Sequence, residues 1–200
     1  MQEYIRENIA EGIACKQALL QNEALLLEVE RVAQACIEAY KRGNKLLVCG
    51  NGGSASDALH MTGELVGRYL VERRGIPAVA LNANAAVMTA LSNDYDYNSV
   101  FAKQVRALGN KGDILFGIST SGSSKNVVMA FEEARKLGIT TVGLTGAGGG
   151  QMRESSDYLL NVPSDRTPRI QEMHIVLIHT LCGLMEKELH ECGYFEDINE

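Results

Sequence analysis

The apolar positions follow one rhythm up to residue 42 and another beyond it. Between residues 3 and 42, Leu19, Leu20, Leu25, Leu26, Val29, Val32, Ala33 and Ile37 recur three and four apart, with Glu, Lys and Arg between them. That spacing gives a helix one apolar face. Gln21-Asn22 divides the run into two helices, and Gly43-Asn44 ends it, since Gly adopts a left-handed cap at little cost. From residue 44 on, short apolar runs alternate with helical stretches. Residues 45–49, 77–81, 114–118, 140–144 and 158–162 read as buried strands. Residues 54–70, 85–91, 99–108, 124–137 and 169–188 read as helices between or after them. Strand alternating with helix predicts an α/β fold of three layers: a five-stranded parallel sheet with helices on both faces, doubly wound and Rossmann-like.

No internal repeat, low-complexity run or domain boundary interrupts the pattern. The expected organisation is one domain over residues 1–200, with an N-terminal helical pair (1–43) used for oligomerisation and a parallel α/β core (44–192). The acidic tail from Cys192 to Glu200 is expected to fray. A chain of 200 residues, 46% hydrophobic and 22% charged, has a globular composition. It is long enough to bury about 70% of its unfolded surface. The net charge of −6 argues against nucleic acid or an anionic membrane as the main partner, although a local cationic pocket remains compatible with it. Cys15, Cys36, Cys49, Cys182 and Cys192 form no CxxC pair and read as reduced thiols in a reducing compartment. The polar N-terminus has no signal-peptide core, and no apolar run approaches the ~18 residues of a membrane span. A cytoplasmic location is therefore expected.

In an open parallel sheet, ligands sit beyond the carboxyl ends of the strands. Two strands here end in small, polar loops that open helices. The first loop runs Cys49-Gly50-Asn51-Gly52-Gly53-Ser54-Ala55-Ser56-Asp57, and its glycines let the backbone approach a ligand closely. The second runs Ile118-Ser119-Thr120-Ser121-Gly122-Ser123-Ser124-Lys125-Asn126, with more hydroxyls than a helix cap requires. Both are followed by the free N–H groups and positive dipole end of a helix, which suit a phosphate. Neither matches the dinucleotide pattern GxGxxG with a following carboxylate, and no GxxxxGKS/T is present. A phosphorylated metabolite without a nucleotide fits better. The Gly-rich stretch at 144–150 either lines the same rim or is a plain connection.

His60 and Glu64 are four apart on the helix after the first loop, so both lie on one face, about 6 Å apart. The pair suits acid–base chemistry or a metal, or is a satisfied surface pair. On the last helix, Gln171, His174 and His179 interrupt an otherwise apolar sequence. His174 and His179 are about 140° apart round a helix, so at most one of them serves the site. Gln171 and His179 are about 12 Å apart along the axis, and converge only if both extend toward each other or two subunits contribute. Asn93-Asp94 reads as a helix-stop loop or as a contact to substrate hydroxyls. Arg68 can pair with Glu64, meet a phosphate, or stay solvated.

In combination, Cys-Gly-Asn-Gly-Gly-Ser at 49–54, Ser-Asn-Asp at 92–94, Gly-Ile-Ser-Thr-Ser-Gly-Ser-Ser at 117–124 and Arg-Ile-Gln-Glu-Met-His at 169–174 resemble the sugar isomerase (SIS) superfamily. Within it they resemble the phosphoheptose isomerase family, over nearly the whole chain. The resemblance implies a homotetramer with active sites at subunit interfaces. It implies conversion of D-sedoheptulose 7-phosphate to D-glycero-D-manno-heptose 7-phosphate, the first step toward activated heptose for lipopolysaccharide or related surface glycans. It implies substrate contacts from Asn51, Gly52, Gly53, Glu64, Asn93, Asp94, Ser119, Thr120, Ser121, Ser124 and Gln171. It also implies a catalytic pair, Glu64 and His179, and one zinc ion (Zn2+) per subunit on His60, Glu64, Gln171 and His179. Some members carry Asp directly before Arg-Ile-Gln. Here that position is Pro168, and Asp165 is the nearest carboxylate.

For such an isomerase Glu64 is the expected base and His179 the acid on the oxygen side. Three rival readings stand beside this one. A non-catalytic SIS tetramer binding a replication-initiator protein would lack the acid–base pair that this chain retains. A sugar-phosphate-sensing regulatory domain would be accompanied by a DNA-binding segment. An isomerase for another sugar phosphate would share the same loops.

Overall fold

A computed structural model describes residues 1–196. The helical N-terminus divides where Gln21-Asn22 interrupts the apolar spacing, into α1 (Gln2–Leu20) and α2 (Glu23–Lys41). Asn22 caps α2 by accepting the Leu25 N–H at 3.1 Å. The core then alternates β1 (Leu46–Gly50), α3 (Gly53–Val66), β2 (Ala78–Ala80), α4 (Ala85–Asp94), α5 (Val100–Leu108), β3 (Ile114–Ile118), α6 (Lys125–Lys136), β4 (Thr140–Thr145), α7 (Met152–Ser155), β5 (Tyr158–Asn161) and α8 (Thr167–Glu191). All five strands are parallel, in the order β2-β1-β3-β4-β5.

Alternation along the strands sorts the core into two halves. Leu46, Val48, Ile114, Phe116, Val142 and Leu144 pack against α2, α3 and α8. Leu47, Cys49 and Leu115 face the other way, against Phe101 and Val105 of α5 and Val127 and Phe131 of α6. Because chain order reverses between β1 and β3, the loops after these two strands splay apart at their carboxyl ends and leave a crevice.

The structure corrects several boundaries. The first core helix stops at Val66 rather than residue 70, with Gly67 as its C-cap. The helix beginning at Ala85 runs a turn further, to Asp94, as no Gly or Pro stops it earlier. The last helix extends to 167–191, with Pro168 in its first turn, where a missing N–H costs nothing. The four-residue α7 was not expected, being too short for any periodicity to register. Part of the tail expected to fray is packed down: Arg74 donates to the Tyr194 carbonyl at 2.7 Å and lies 4.4 Å over its ring. The rest of that tail, 197–200, lies outside the described residues.

Candidate active site

The two loops meet at the crevice. Asn51, at the end of β1, exchanges paired hydrogen bonds with Asn126 in the first turn of α6, both 2.9 Å. Tyr97 donates its hydroxyl to Asn51 Oδ1 at 2.8 Å. A Cβ on Gly50 would overlap the Ser54 carbonyl, and one on Gly53 would overlap the Gln171 amide. Gly50 is therefore required by close backbone approach, whereas at Gly53 the Gln171 side chain would have to shift. Gly52 caps α3 at φ 57°, a conformation that favours glycine.

In the second loop the Ser119 hydroxyl lies 2.8 Å from that of Ser124 and 3.4 Å from that of Ser121. Ser124 is the N-cap of α6 but its side chain caps nothing, so the first N–H groups of that helix keep their ligand-binding capacity. The Gly-rich stretch after β4 braces this loop. Gly146 donates to the Thr120 carbonyl at 3.0 Å, and the Gly122 backbone presses on Gly149 and Gly150.

Beneath the loops, His60 Nε2 lies 3.0 Å from Glu64 Oε1, across one turn of α3. His179, from α8, brings its Nε2 to 3.3 Å from His60 Nε2. The three donor atoms lie within 4.8 Å of one another. The Tyr69 ring stacks on His179 with centroids 5.8 Å apart and planes at 29°. Gln171, from the same helix, places its amide at Gly53 and so bridges the first loop and α8; among the described residues it makes no hydrogen bond to His60, Glu64 or His179. His174 faces away from this group and is fully buried. Burial pushes its imidazole down to about 4; the Thr145 backbone opposes the shift but completes no hydrogen bond with either ring nitrogen.

Other sequence-predicted residues are placed differently. Asn93 and Asp94 are exposed on the last turn of α4 and bond to each other at 2.9 Å. Among the described residues they make no hydrogen bond to the loops or to the His60 group. Arg68 turns to Glu72, 3.5 Å away and exposed, instead of Glu64. Asp165 is exposed. Sequence reasoning placed Asn126 at the end of the second loop without giving it a role, and it gave none to Tyr97 or Tyr69, which no spacing rule singles out. Asp57, the last residue of the first loop's stretch, was likewise given no role; its Oδ2 is buried without a partner. Burial raises the Asp57 carboxyl to about 6, with His60 opposing. Cys182 lies one turn beyond His179, but burial pushes its thiol up to about 12, so thiolate chemistry is not available there.

The chain and its fold have known counterparts. The SIS domain family model matches residues 13–146. The phosphoheptose isomerase of Burkholderia pseudomallei is 52% identical over 186 residues, covering 93% of this chain and 94% of that protein. The chain belongs to the phosphoheptose isomerase family of SIS-domain proteins. Its fold agrees with the solved structures of that family. Phosphoheptose isomerase GmhA from Neisseria gonorrhoeae superimposes with a TM-score of 0.87 at 41% identity, covering 93% of this chain and 98% of that one. The enzyme from Francisella tularensis superimposes with a TM-score of 0.89 at 38% identity over the same shares.

Proposed function

We propose that the protein interconverts D-sedoheptulose 7-phosphate and D-glycero-D-manno-heptose 7-phosphate, an aldose–ketose isomerisation feeding activated-heptose synthesis for lipopolysaccharide or other surface glycans. The observation that carries this reading is the convergence of Glu64, His60 and His179 from two helices, with α8 tied through Gln171 to the first loop of the crevice. The names of its 52%-identical and 41%-identical relatives supply the seven-carbon substrate.

The chemistry needs one proton taken from C1 and one returned to C2, through a cis-enediol. Glu64 takes the C1 proton and delivers it to C2. His179 protonates O2 as the carbonyl electrons move onto it and accepts the O1 proton as the aldehyde forms. Ser119, Thr120, Ser121 and Ser124, with the start of α6, hold the C7 phosphate. Binding energy far from the reacting carbons then orients them. Asn51, Gly52, Gly53, Asn93, Asp94 and Gln171 take the hydroxyls between.

Two imidazole nitrogens and a carboxylate within 4.8 Å form a donor set that suits zinc, with Gln171 as a fourth ligand. A bound zinc ion would polarise an oxygen of the substrate. A metal that occupies Glu64 competes with its work as base.

The active unit in this proposal is a cytoplasmic homotetramer. A groove of about 750 Å³ lined by Tyr69, Val176, Leu184 and His179 opens beside the cluster. Ile5, Ile9 and Ile13 form an exposed apolar stripe on α1. The Asn93-Asp94 helix buries no residue of its own. A partner subunit would cover these surfaces. Among the described residues no helix is long and apolar enough to cross a membrane.

The test is turnover of sedoheptulose 7-phosphate by purified protein, with and without a chelator. Isomerisation that is lost on chelation and restored by zinc supports enzyme and metal together. Isomerisation indifferent to chelator keeps the Glu64/His179 chemistry and removes zinc from it. No turnover of any five- to seven-carbon ketose phosphate contradicts the proposal.

A further inference from the structure

Glu64 and His179 sit on different helices, so the gap between them depends on how α3 and α8 are held against each other. The two helices run in the same direction. They touch at Gly53 and Gln171, then at His60 and His179, and past the end of α3 they are joined by an ion pair. Arg73 and Glu186 meet at 2.7 Å with side chains only 1% and 3% exposed.

Every polar atom of this pair is engaged. Arg73 donates to the carbonyl of Glu64 itself at 2.9 Å, and to those of Leu65 at 3.0 Å, Gly67 at 2.9 Å and Arg74 at 3.1 Å. Glu186 accepts the backbone N–H groups of Tyr69 at 3.0 Å, Leu70 at 2.7 Å and Val71 at 3.1 Å. Burial alone would raise the Glu186 carboxyl, but these N–H groups and Arg73 hold it below the usual range. The Phe195 ring closes the outer side, 5.7 Å from the Arg73 guanidinium.

Stability is a weak reason to bury such a pair, because apolar replacements of the same volume are often neutral or better. Geometry is a stronger reason. Arg73 satisfies the free carbonyls that end α3, beginning with that of Glu64. Glu186 stands two turns beyond His179, on the same face of α8. The backbone between them carries Tyr69, whose ring stacks on His179, and Gly183 leaves that ring room: a Cβ there would come within 3.3 Å of it.

We propose that Arg73 and Glu186 are positioning residues that clamp α3 to α8 and thereby fix the spacing between Glu64 and His179. This rests on the reading of Glu64 and His179 as the acid–base pair. A misplacement of about 1 Å costs on the order of a hundredfold in rate, while the first loop lies at the other end of α3 and the serine loop opens α6, both away from the clamp.

The experiment compares Glu186→Gln and Arg73→Lys with the wild type and with Val105→Ala. Val105 is a buried control on the opposite face of the sheet. Melting temperature, kcat, KM and inhibition by inorganic phosphate are measured on each. The expected result is a folded Glu186→Gln or Arg73→Lys protein with kcat reduced about ten- to a hundredfold. Its KM and phosphate inhibition stay within about threefold, and Val105→Ala melts lower but keeps kcat. Three results overturn the clamp: kcat within about twofold of wild type in the folded variants, an equal loss in Val105→Ala, or failure of both clamp variants to fold. Glu64→Gln is run alongside. If it is inactive while Glu186→Gln is fully active, only the clamp fails. If Glu64→Gln turns over normally, the underlying acid–base assignment fails instead.

Discussion

Around Asn51 and the serine loop, the groups facing the crevice are backbone N–H groups and short side chains from two continuous stretches. At His60, Glu64 and His179 they are long side chains from two helices, the two imidazoles 119 positions apart in the chain. The first region is rigid because glycines press backbone on backbone, as at Gly122 against Gly149 and Gly150. The second is held from outside, by the Gly53–Gln171 contact at one end and Arg73–Glu186 at the other. Binding a phosphate requires many donors in one place, which a single loop can carry. Moving a proton requires two groups of different chemistry at a set distance, which this protein obtains by packing two helices.

That contrast implies that damage to the two regions separates in the kinetics. Besides Glu64→Gln, the largest effect is expected for His179→Gln, with kcat reduced about 10²–10⁴-fold and KM little changed. A comparable rise in KM would merge the two regions and break the comparison.

The next effect is on stability, behind the loop region. The folded-state pKa of His174, about 4, lies below the ordinary 6.5. As pH falls from 6.5 toward 4 the unfolded chain binds a proton that the folded chain refuses, so stability falls. The loss is on the order of 3 kcal/mol. Urea unfolding at pH 7 and pH 4.5 should show a smaller drop in His174→Leu than in wild type. Equal drops would remove His174 from the acid sensitivity.

Gly122→Ala comes next. Its φ of +64° and the overlap of a Cβ with the Gly149 carbonyl displace the serine loop. The expected outcome is a KM raised about tenfold and a loss of about 1–3 kcal/mol in stability, with kcat less affected. A change confined to kcat would show that the loop does more than bind.

The sequence made the two regions unequally legible. Strands and loops could be read because their information is local. Leu46 to Cys49 alternate between two cores, and the hydroxyls of residues 119–124 are contiguous. The His60–Glu64 pair could also be read, being one helical turn. That His179 joins it, while His174 turns into the core, was only narrowed by helical geometry to at most one of the two; family resemblance favoured His179. Arg68 shows the limit of such counting. Glu64 and Glu72 both lie four residues away, and α3 ends at Val66, so helical spacing could not choose between them. Arg73 gave no signal at all: in the sequence it is one of two adjacent arginines in a polar loop, and only tertiary structure buries it against Glu186.

The most direct measurement is kcat for Glu64→Gln on sedoheptulose 7-phosphate, paired with calorimetric binding of the same sugar phosphate. The expected result is turnover reduced at least a thousandfold with affinity within about fivefold of wild type. Turnover close to wild type would contradict Glu64 as the base and with it the proposed isomerisation mechanism.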